Sequence, residues 1–270
     1  MKQRSPGHRT YSGNRRAGGG GGLGPEPLYW FEADSGVTVL GGGSEEVINV
    51  LDKTSHHFDV VGSVAGGRGR PLLVPNVFNG NPAFLGGDGQ TPVSNACLFN
   101  ELAPLFASVT DPFAVVAVIR PFGLGACFTA GGCVTSFGLG LAPSAPLGSD
   151  LYLGIEACGP TSGQQYVQNN GNHGDSSPLF AVTPVNYLGQ DLLVTWEFDG
   201  ISIVHKINGA VIPLVDDTPG TNDGDPGFML MSSNHQSFSC FTGYLGATAC
   251  YGQSTVPAAM LVYLSTKYGV

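Results

Sequence analysis

Residues 190–214, QDLLVTWEFDGISIVHKINGAVIPL, carry the clearest structural signal in this chain of 270 residues. The dipeptides Asp199-Gly200 and Asn208-Gly209 separate three segments of strand length there. Such dipeptides favour tight hairpin turns, because glycine adopts a positive φ without steric cost and Asp or Asn tolerates one. Every second residue from Leu192 to Phe198 is apolar. The stretch therefore predicts three consecutive antiparallel strands with one buried face.

The rest of the chain repeats this pattern of short apolar runs and turn signals. The segments PLYWFEAD (27–34) and DPFAVVAVIRPF (111–122) have strand length. The second is apolar at nearly every position, which places it in the centre of a sheet. Glycine (42 residues) and proline (19 residues) are frequent, and charged residues make up only 11% of the chain. Together these features predict an all-β fold, a two-sheet antiparallel jelly-roll sandwich.

Two segments have the apolar spacing of a helix. Residues 95–109 contain several apolar residues at helical spacing, among them Leu98, but Pro104 would limit such a helix to a turn or two. Residues 256–270 predict a short C-terminal helix, because Pro257 suits a first turn. The apolar side of this second helix would consist of Met260, Leu261 and Leu264.

Residues 1–27 differ from the rest of the chain in composition and charge. Glycine occupies all of positions 18–22, and ordering such a run costs much backbone entropy. Five basic residues and one acidic residue give this segment a net charge of +4, whereas six basic and nineteen acidic residues give residues 28–270 a net charge of −13. Composition leaves three interpretations open: a tail for an acidic protein surface, a tail for nucleic acid, or a solvated leader.

We expect an extended arm, residues 1–27, on a jelly-roll domain that covers residues 28–270. The arm would lie over neighbouring subunits and become ordered on binding. The basic residues expected to bind the partner are Lys2, Arg4, Arg9, Arg15 and Arg16.

Neither an export signal nor a membrane span is expected from the sequence. The first residues are charged and rich in glycine, and no run of roughly 18 apolar residues occurs. The six cysteines have no CxxC spacing, so we expect reduced thiols, most of them buried. We therefore expect a protein that is not secreted through a signal peptide and has no membrane partner.

Six segments occur in an order typical of one fold superfamily. They are PLYWFEADSG (27–36), INVLDKTSHHF (48–58), GRPLLVPNVFNGNPAFLGGDG (69–89), PFAVVAVIRP (112–121), WEFDGISIVHKINGAVI (196–212) and YLSTKYGV (263–270). In this order they resemble the concanavalin A-like lectin/glucanase superfamily, and more narrowly the laminin G-like jelly-roll domains of bacteriophage virion proteins. The similarity covers residues 27–270. The second segment departs from it, because it lacks the tryptophan that such domains often carry there.

The resemblance implies a fold that hosts sugar binding, glycan hydrolysis, calcium-dependent adhesion and architecture. We expect a non-enzymatic structural protein of a phage virion, a capsid decoration or cement subunit or a head-fibre subunit. Its arm would bind the major capsid protein or other virion subunits, and it would form homo-oligomers located in the virion. We expect no nucleic-acid partner. The alternative is a carbohydrate-binding adhesin or tail receptor-binding module that binds a surface glycan, and a third interpretation is a glycan-active enzyme.

Catalytic residues are not expected. Glycan hydrolysis needs two carboxylates across the scissile bond, and related glucanases place three acids on one strand. The nearest match, Glu197-Phe198-Asp199, lacks the third acid and is followed at once by Gly200. We interpret Asp199 as a hairpin-turn residue and Glu197 as an outward-facing strand residue. His205 lies within a predicted strand, where a structural histidine is the expected role.

Two polar loops are candidate binding sites. Residues 222–225, NDGD, supply Asp223 and Asp225, whose oxygens suit calcium, and laminin G-like domains often hold calcium in such loops. The alternative is a polar turn, and no other cofactor is expected. The loop of residues 160–179 offers an aromatic ring and amide groups for a sugar, the alternative being a solvated loop. Its candidate glycan-binding residues are Tyr166, Asn170 and Asn172.

Overall fold

The apolar alternation of residues 190–214 recurs along the chain, and the resulting short strands pair into two antiparallel sheets. This arrangement is seen in a computed structural model. It describes residues 9–11, 22–41, 44–62, 70–86, 97–100, 103, 105–106, 111–121, 131–137, 151–156, 165–169, 178–180, 187, 189–214, 227–231 and 241–270.

Within these ranges the chain forms short strands and one helix, numbered here in chain order. They are β1 (Arg9–Tyr11), β2 (Tyr29–Glu32), β3 (Val37–Val39), β4 (Val47–Val50), β5 (Val60–Gly62), β6 (Leu72–Phe78), β7 (Asn81–Leu85), β8 (Leu98–Asn100), β9 (Phe113–Pro121), β10 (Gly131–Phe137), β11 (Leu151–Glu156), β12 (Gln165–Asn169), β13 (Pro178–Phe180), β14 (Leu192–Phe198), β15 (Ile203–Ile207), β16 (Ala210–Ile212), β17 (Phe228–Leu230), β18 (Gly243–Tyr251) and α1 (Ala258–Tyr268).

The strands form a sandwich of two sheets. Sheet A has ten strands in the order β1-β3-β4-β5-β8-β17-β10-β11-β12-β13, and sheet B has the order β16-β15-β14-β9-β18-β7-β6. β2 also pairs with β18, beside β7, so that β2 and β7 lie along the same side of β18. Two antiparallel sheets with one short C-terminal helix confirm the predicted fold class.

The main apolar core lies between the two sheets. Sheet B supplies alternate residues of β14 and β9, among them Trp196 and Ile119, which are fully buried. Aromatic rings fill the contact with sheet A: Tyr29 of β2 stacks on Phe228 of β17, with ring centroids 4.6 Å apart. Apolar burial of this kind is the dominant favourable contribution to folding.

A second apolar layer lies between sheet B and α1. The helix buries Met260, Leu264 and Tyr268, which pack in one cluster with Val116 and Val118 of β9. Because α1 covers one face of sheet B and sheet A covers the other, β9 is buried on both faces. This double burial explains why residues 111–122 are apolar at nearly every position and confirms their central place in a sheet.

The C-terminal helix follows the prediction closely. Pro257 immediately precedes the first helical residue, and Gly269 ends the helix with a φ of 73°. The Gly269 N–H donates to the carbonyl of Ser265 at 2.9 Å, which satisfies one of the last helical carbonyls. No helix in the described ranges has the length and apolar content needed to cross a membrane.

The expected helix in residues 95–109 is wrong in its first part, where residues 98–100 form strand β8. Leu98 is fully buried and pairs with Gly62 of β5 and Leu230 of β17. A helix there would leave the facing edges of β5 and β17 without partners in the middle of sheet A. The long-range pairing therefore overrides the local helical spacing.

The two hairpin turns of residues 190–214 are both present, but they differ in length. Asn208 and Gly209 form a two-residue turn with φ values of 46° and 80°, since Ile207 pairs directly with Ala210. The turn at Asp199-Gly200 is longer than the predicted two residues. It spans residues 199–202, because Phe198 pairs with Ile203.

Two cysteines are described in full, Cys97 and Cys250, and both are buried. Burial raises the pKa of the Cys250 thiol above its ordinary value, so this group stays protonated and unreactive.

Replacing Met260 with alanine should lower the free energy of unfolding by about 2–4 kcal/mol, because it opens a cavity between α1 and sheet B. Urea denaturation followed by circular dichroism would measure the change. The matched control is Val262→Ala on the same helix, whose side chain is 66% exposed and should change stability by less than about 0.5 kcal/mol. Equal losses in the two variants would show that α1 is not packed on sheet B.

Candidate functional site

Glu197, the first residue of the closest match to a catalytic acid motif, is held by structural contacts. Its carboxylate accepts a hydrogen bond from the Lys206 ammonium at 2.5 Å and from the backbone N–H of Val256 at 3.3 Å. Only 8% of the side chain is exposed. The predicted outward orientation is correct in direction, because Glu197 faces away from the core between the sheets. The side chain is nevertheless not exposed to solvent, because the connection between β18 and α1 covers this face of sheet B.

Asp199 performs the predicted turn role. Its side chain accepts hydrogen bonds from the backbone N–H groups of Ile201 and Ser202, each at 2.9 Å. These backbone donors lower the pKa of the exposed Asp199 carboxyl. The two carboxylates therefore serve separate structural purposes, one in a buried ion pair and one in a hairpin loop.

His205 is a structural histidine, as the sequence predicts. The imidazole is fully buried and stacks on Trp196 with ring centroids 5.1 Å apart. Nδ1 lies 3.0 Å from the carbonyl oxygen of Thr195, so Nδ1 carries the proton of the neutral ring. Burial, opposed by this hydrogen bond, lowers the pKa of His205 to about 4.

A buried polar cluster that the sequence did not predict joins β2 to α1. At its centre the Glu32 carboxylate is fully buried and pairs with Lys53 and with Lys267, whose ammonium lies 3.2 Å from Oε1. The hydroxyl of Tyr263 donates to the same Oε1 at 2.9 Å. Lys267 also pairs with Asp34 at 2.8 Å. These groups satisfy one another under the helix, as buried charges require.

The charges in this cluster shift the pKa values of its members. Burial alone would lower the pKa of Lys267, but the neighbouring Glu32 and Asp34 raise it above its ordinary value. Burial and the charge of Glu32 raise the pKa of Tyr263 to about 12. At neutral pH Lys267 is therefore charged and Tyr263 is a neutral hydrogen-bond donor.

The cluster brings together three of the six segments that carry the superfamily resemblance. Residues 27–36 supply Glu32, residues 48–58 supply Lys53, and the C-terminal segment supplies Lys267. The sequence feature that could have indicated this cluster is the presence of charged residues in these segments, since only 11% of the chain is charged. Every one of these charges is engaged within the fold, so each of them has a structural role.

The charged residue of a fourth segment, residues 112–121, also has its partners within the fold. Arg120 forms an ion pair with Asp191, in which Nη2 lies 2.9 Å from Oδ2. The same nitrogen donates to the carbonyl of Val77 at 3.2 Å. Arg120 thus joins the end of β9 to the residue that precedes β14, its neighbour in sheet B, and to β6, which lies beyond β18 and β7.

The predicted loop of residues 160–179 is wrong where strands β12 (Gln165–Asn169) and β13 (Pro178–Phe180) form at the far edge of sheet A. Tyr166 is in β12, where its backbone is opposite Gly154 of β11 and Phe180 of β13. The chain between β12 and β13, which includes Asn170 and Asn172, lies outside the described residues.

Most other predicted site residues also lie outside the described ranges. These are the calcium candidates Asp223 and Asp225 and the arm residues Lys2, Arg4, Arg15 and Arg16, while Arg9 lies in β1. In the part of the chain that is described, no group of three or more His, Cys, Asp or Glu residues is placed to hold a metal ion.

Solved structures of known proteins share this fold. Domain 4 of a GH43 extracellular arabinanase from Geobacillus stearothermophilus, solved with arabinotriose, matches with a TM-score of 0.53 and 14% identity over 87% of this chain and 96% of that domain. The receptor-binding domain of botulinum neurotoxin type G matches with a TM-score of 0.51 and 10% identity, over 90% of this chain. Trypanosoma rangeli sialidase matches with a TM-score of 0.50 and 13% identity, over 88% of this chain.

The matches differ in how much of the other protein they cover. The chain spans 52% of the neurotoxin domain and 32% of the sialidase. No protein-family model and no curated protein sequence matches the chain. The similarity therefore establishes a β-sandwich fold that occurs both in binding domains and in carbohydrate-active enzymes.

Replacing Glu32 with glutamine should lower the free energy of unfolding by about 3–5 kcal/mol, because it leaves two lysines without their buried counter-charge. Guanidinium denaturation would measure the loss. The matched control is Asp34→Asn, since the Asp34 side chain is 32% exposed and its pair with Lys267 should contribute at most about 1 kcal/mol. A Glu32→Gln loss no larger than that of the control would contradict the role of Glu32.

The stability of the protein should fall with acidity in a range set by His205. The folded-state pKa of His205 is about 4, below its ordinary value of 6.5, so the unfolded chain binds the proton first. Stability is then constant above pH 6.5 and decreases as the pH falls toward 4, by up to about 1.4 kcal/mol per pH unit.

Thermal unfolding of the wild type and of His205→Phe between about pH 6.5 and pH 5 would measure how steeply stability depends on pH. Most carboxylates titrate below this range. Phenylalanine keeps a ring against Trp196 and removes the titration, so the variant should show a flatter pH dependence. The exposed His57→Gln variant should keep the wild-type slope. An unchanged slope in His205→Phe would contradict the assignment.

Proposed function

We propose that this chain is a non-catalytic carbohydrate-binding domain, with its glycan site at the edge of sheet A formed by β11, β12 and β13. The observation that carries the proposal is the match to the arabinanase domain. That match covers 96% of a domain solved with a bound trisaccharide and 87% of this chain. The similarity therefore extends over the whole sandwich and not over one part of it. The similarity to a receptor-binding domain of a toxin supports the same class of function.

The contacts of Glu197, Asp199 and Glu32 favour binding over hydrolysis. A glycosidase needs one carboxylic acid to protonate the leaving group and a second carboxylate as nucleophile or base, a few ångströms apart. Glu197 is tied to Lys206 and covered, and Asp199 is occupied by the backbone of its own turn. Glu32 is buried between two lysines. Each of these groups would have to lose its structural partners before it took part in catalysis.

The strands at the edge of sheet A suit a binding loop. β12 and β13 pair in register from Tyr166–Phe180 to Gln168–Pro178, so both ends of the loop between them are fixed by backbone hydrogen bonds. Gly154 of β11 is the register partner of Tyr166. Sites supported by paired strands are more precise than sites that lie on loops alone.

Strand β12 and the residues that follow it supply, by their sequence, the chemistry that sugars require. An aromatic ring binds the apolar face of a pyranose or furanose ring, and amide groups bond its hydroxyl groups. Tyr166, Asn170 and Asn172 provide these groups within seven consecutive positions. Oligosaccharides of arabinose and sialylated glycans are the first ligands to test, given the similar proteins.

A glycan array probed with the full chain, followed by calorimetry with the best ligand, would test this function. The wild type should bind a defined glycan class, and Tyr166→Ala and the double variant Asn170→Ala/Asn172→Ala should each lose at least about tenfold in affinity. Thr255→Ala, an exposed residue of the connection before α1, is the control and should bind as the wild type does.

Three results would overturn the proposal. The first is that the folded wild type binds no glycan, and the second is that the loop variants bind as well as the control. The third is release of new reducing ends from the bound glycan by the wild type and not by Glu197→Gln, because this outcome identifies an enzyme.

A second candidate function is the structural role on a phage virion. The contrast in charge between the arm and the body favours it, because a net charge of +4 on residues 1–27 is suited to a partner with an acidic surface. The partner would be the major capsid protein or another virion subunit. Cryo-microscopy of an intact particle would test this role. Density for the chain on the capsid surface, with residues 1–27 on a neighbouring subunit, is the expected result.

A further inference from the structure

Asn79 and Gly80 form the turn that joins β6 to β7, with φ values of 46° and 81°, and this turn lies against the C-terminal end of α1. It has two residues, because Phe78 pairs directly with Asn81. The Asn79 side-chain amide donates to the carbonyl of Lys267 at 3.3 Å, and the Asn81 amide donates to the same carbonyl at 2.8 Å. Carbonyls in the last turn of a helix have no partner within the helix. The turn therefore supplies hydrogen-bond donors to the end of α1.

The Asn79-Gly80 dipeptide has the chemistry of spontaneous deamidation. In such a dipeptide the backbone nitrogen of glycine attacks the side-chain amide carbon of asparagine, and a succinimide ring closes. Glycine permits this attack best, because it has no side chain beside the nitrogen and restricts the backbone least. Asn79 and Gly80 are both exposed, and a Cβ added at Gly80 would have no described atom beyond its chain neighbours within 4 Å. Water and hydroxide therefore reach the turn, and its backbone has room to move.

A second dipeptide of the same kind, Asn208-Gly209, provides an internal comparison. It has nearly the same backbone conformation, with φ values of 46° and 80°, and it is also exposed. Its side chain is held, however, because the Asn208 Oδ1 atom accepts a hydrogen bond from the backbone N–H of Leu193 at 2.8 Å. Ring closure turns the side chain toward Gly209 and draws Oδ1 away from this N–H. The loss of its acceptor is costly for a partly buried donor.

The side chain of Asn79 is less restrained than that of Asn208. In the described ranges its amide makes one hydrogen bond, at 3.3 Å, and the acceptor is a carbonyl that Asn81 also bonds at 2.8 Å. The Lys267 carbonyl therefore keeps a donor when the Asn79 amide turns away, so ring closure costs little in hydrogen bonding. Of these two dipeptides, Asn79-Gly80 is the one that the fold leaves free to react.

We propose that Asn79 is a site of spontaneous deamidation, and that its modification weakens the attachment of α1 to sheet B. The bond between the Gly80 nitrogen and the Asn79 Cγ forms while the bond between Cγ and Nδ2 breaks. Nδ2 leaves as ammonia, with the proton of the Gly80 N–H. Water then opens the succinimide at either carbonyl, which gives aspartate or isoaspartate at position 79. The reaction consumes one water, releases one ammonia and needs no cofactor or oxidant.

A carboxylate at position 79 changes the contact with α1. It has no proton to donate to the Lys267 carbonyl, and its negative charge lies beside carbonyls that carry partial negative charge at the end of the helix. The Lys267 ammonium cannot offset this repulsion without leaving Glu32 and Asp34, with which it is paired. The modification therefore replaces an attraction with a repulsion at this end of α1.

Isoaspartate also alters the backbone, because its main chain passes through the side-chain carbon and is one atom longer. This atom would lie in a two-residue turn directly after Phe78, whose ring packs edge-on against the Tyr268 ring of α1, with centroids 6.1 Å apart. Both rings belong to the apolar layer between sheet B and α1. The inference concerns this layer, and it does not depend on whether the domain binds a glycan.

Peptide mapping of the aged protein would test the site. The full chain is incubated in mildly alkaline buffer, either folded or in guanidinium, and mass spectrometry measures deamidation at Asn79 and at Asn208 against time. The denatured rate corrects for the residue that precedes each asparagine. The ratio of folded to denatured rate should be at least about fivefold larger for Asn79 than for Asn208, because only Asn208 must leave a partly buried N–H without its acceptor.

Substitutions that reproduce the product would test its effect on α1. Asn79→Asp should lower the melting temperature by about 2–4 °C, and by more than Asn79→Gly, which removes the amide without adding charge. Amide hydrogen exchange in the last turn of α1 should also be faster in Asn79→Asp. Asn208→Asp is the matched control and should shift the melting temperature by less than about 1 °C, since its carboxylate still accepts the Leu193 N–H.

Two results would overturn the assignment of the site: equal ratios of folded to denatured rate at Asn79 and Asn208, or no deamidation at Asn79 in the folded chain while the denatured chain reacts. If Asn79→Asp has the melting temperature and the α1 hydrogen exchange of Asn79→Gly, the proposed effect on α1 is wrong.

Discussion

Sheet B is covered on both faces, and the rest of the molecule is organised by this constraint. Sheet A packs on one face and α1 on the other, so the central strands β9 and β14 have no solvent-facing side along most of their length. Their residues must be apolar or must find polar partners inside the protein, because an unpaired buried polar group is costly. The apolar run of β9 meets this requirement in the first way, and the ion pairs under the helix meet it in the second.

The ion pairs explain why charged residues recur in the segments that resemble known jelly-roll domains. Glu32 and Glu197 both lie on the face of sheet B that α1 and its preceding segment cover, and each has a lysine partner. Arg120 is paired in the same way with Asp191. In a chain with only 11% charged residues, these pairs fix how the helix and the strand ends are placed on the sheet. Such motifs are therefore good indicators of fold and poor indicators of ligand.

The sequence predicts those parts of the fold that local pattern determines. The strands and turns of residues 190–214, the central strand β9 and the helix α1 each follow from periodicity and turn residues within the segment itself. β8 could not be found in this way, since three residues form a strand there only because β5 and β17 lie on either side. The burial of Glu197 was missed for a similar reason: the segment that covers it comes almost sixty residues later. The Glu32 cluster joins positions more than 200 residues apart, which no local pattern reveals.

The same constraint bears on where a ligand can bind. On the helix-covered side of sheet B the described charged groups already have partners within the protein, and a ligand there would have to displace Lys206, Lys267 or Arg120 from its carboxylate. Displacing a lysine from Glu32 or Glu197 would leave a carboxylate that is at most 8% exposed without its counter-charge. At the far edge of sheet A, β12 pairs with β13, the last strand of that sheet in the described ranges. Sandwiches that share this fold occur both as binding domains and within enzymes.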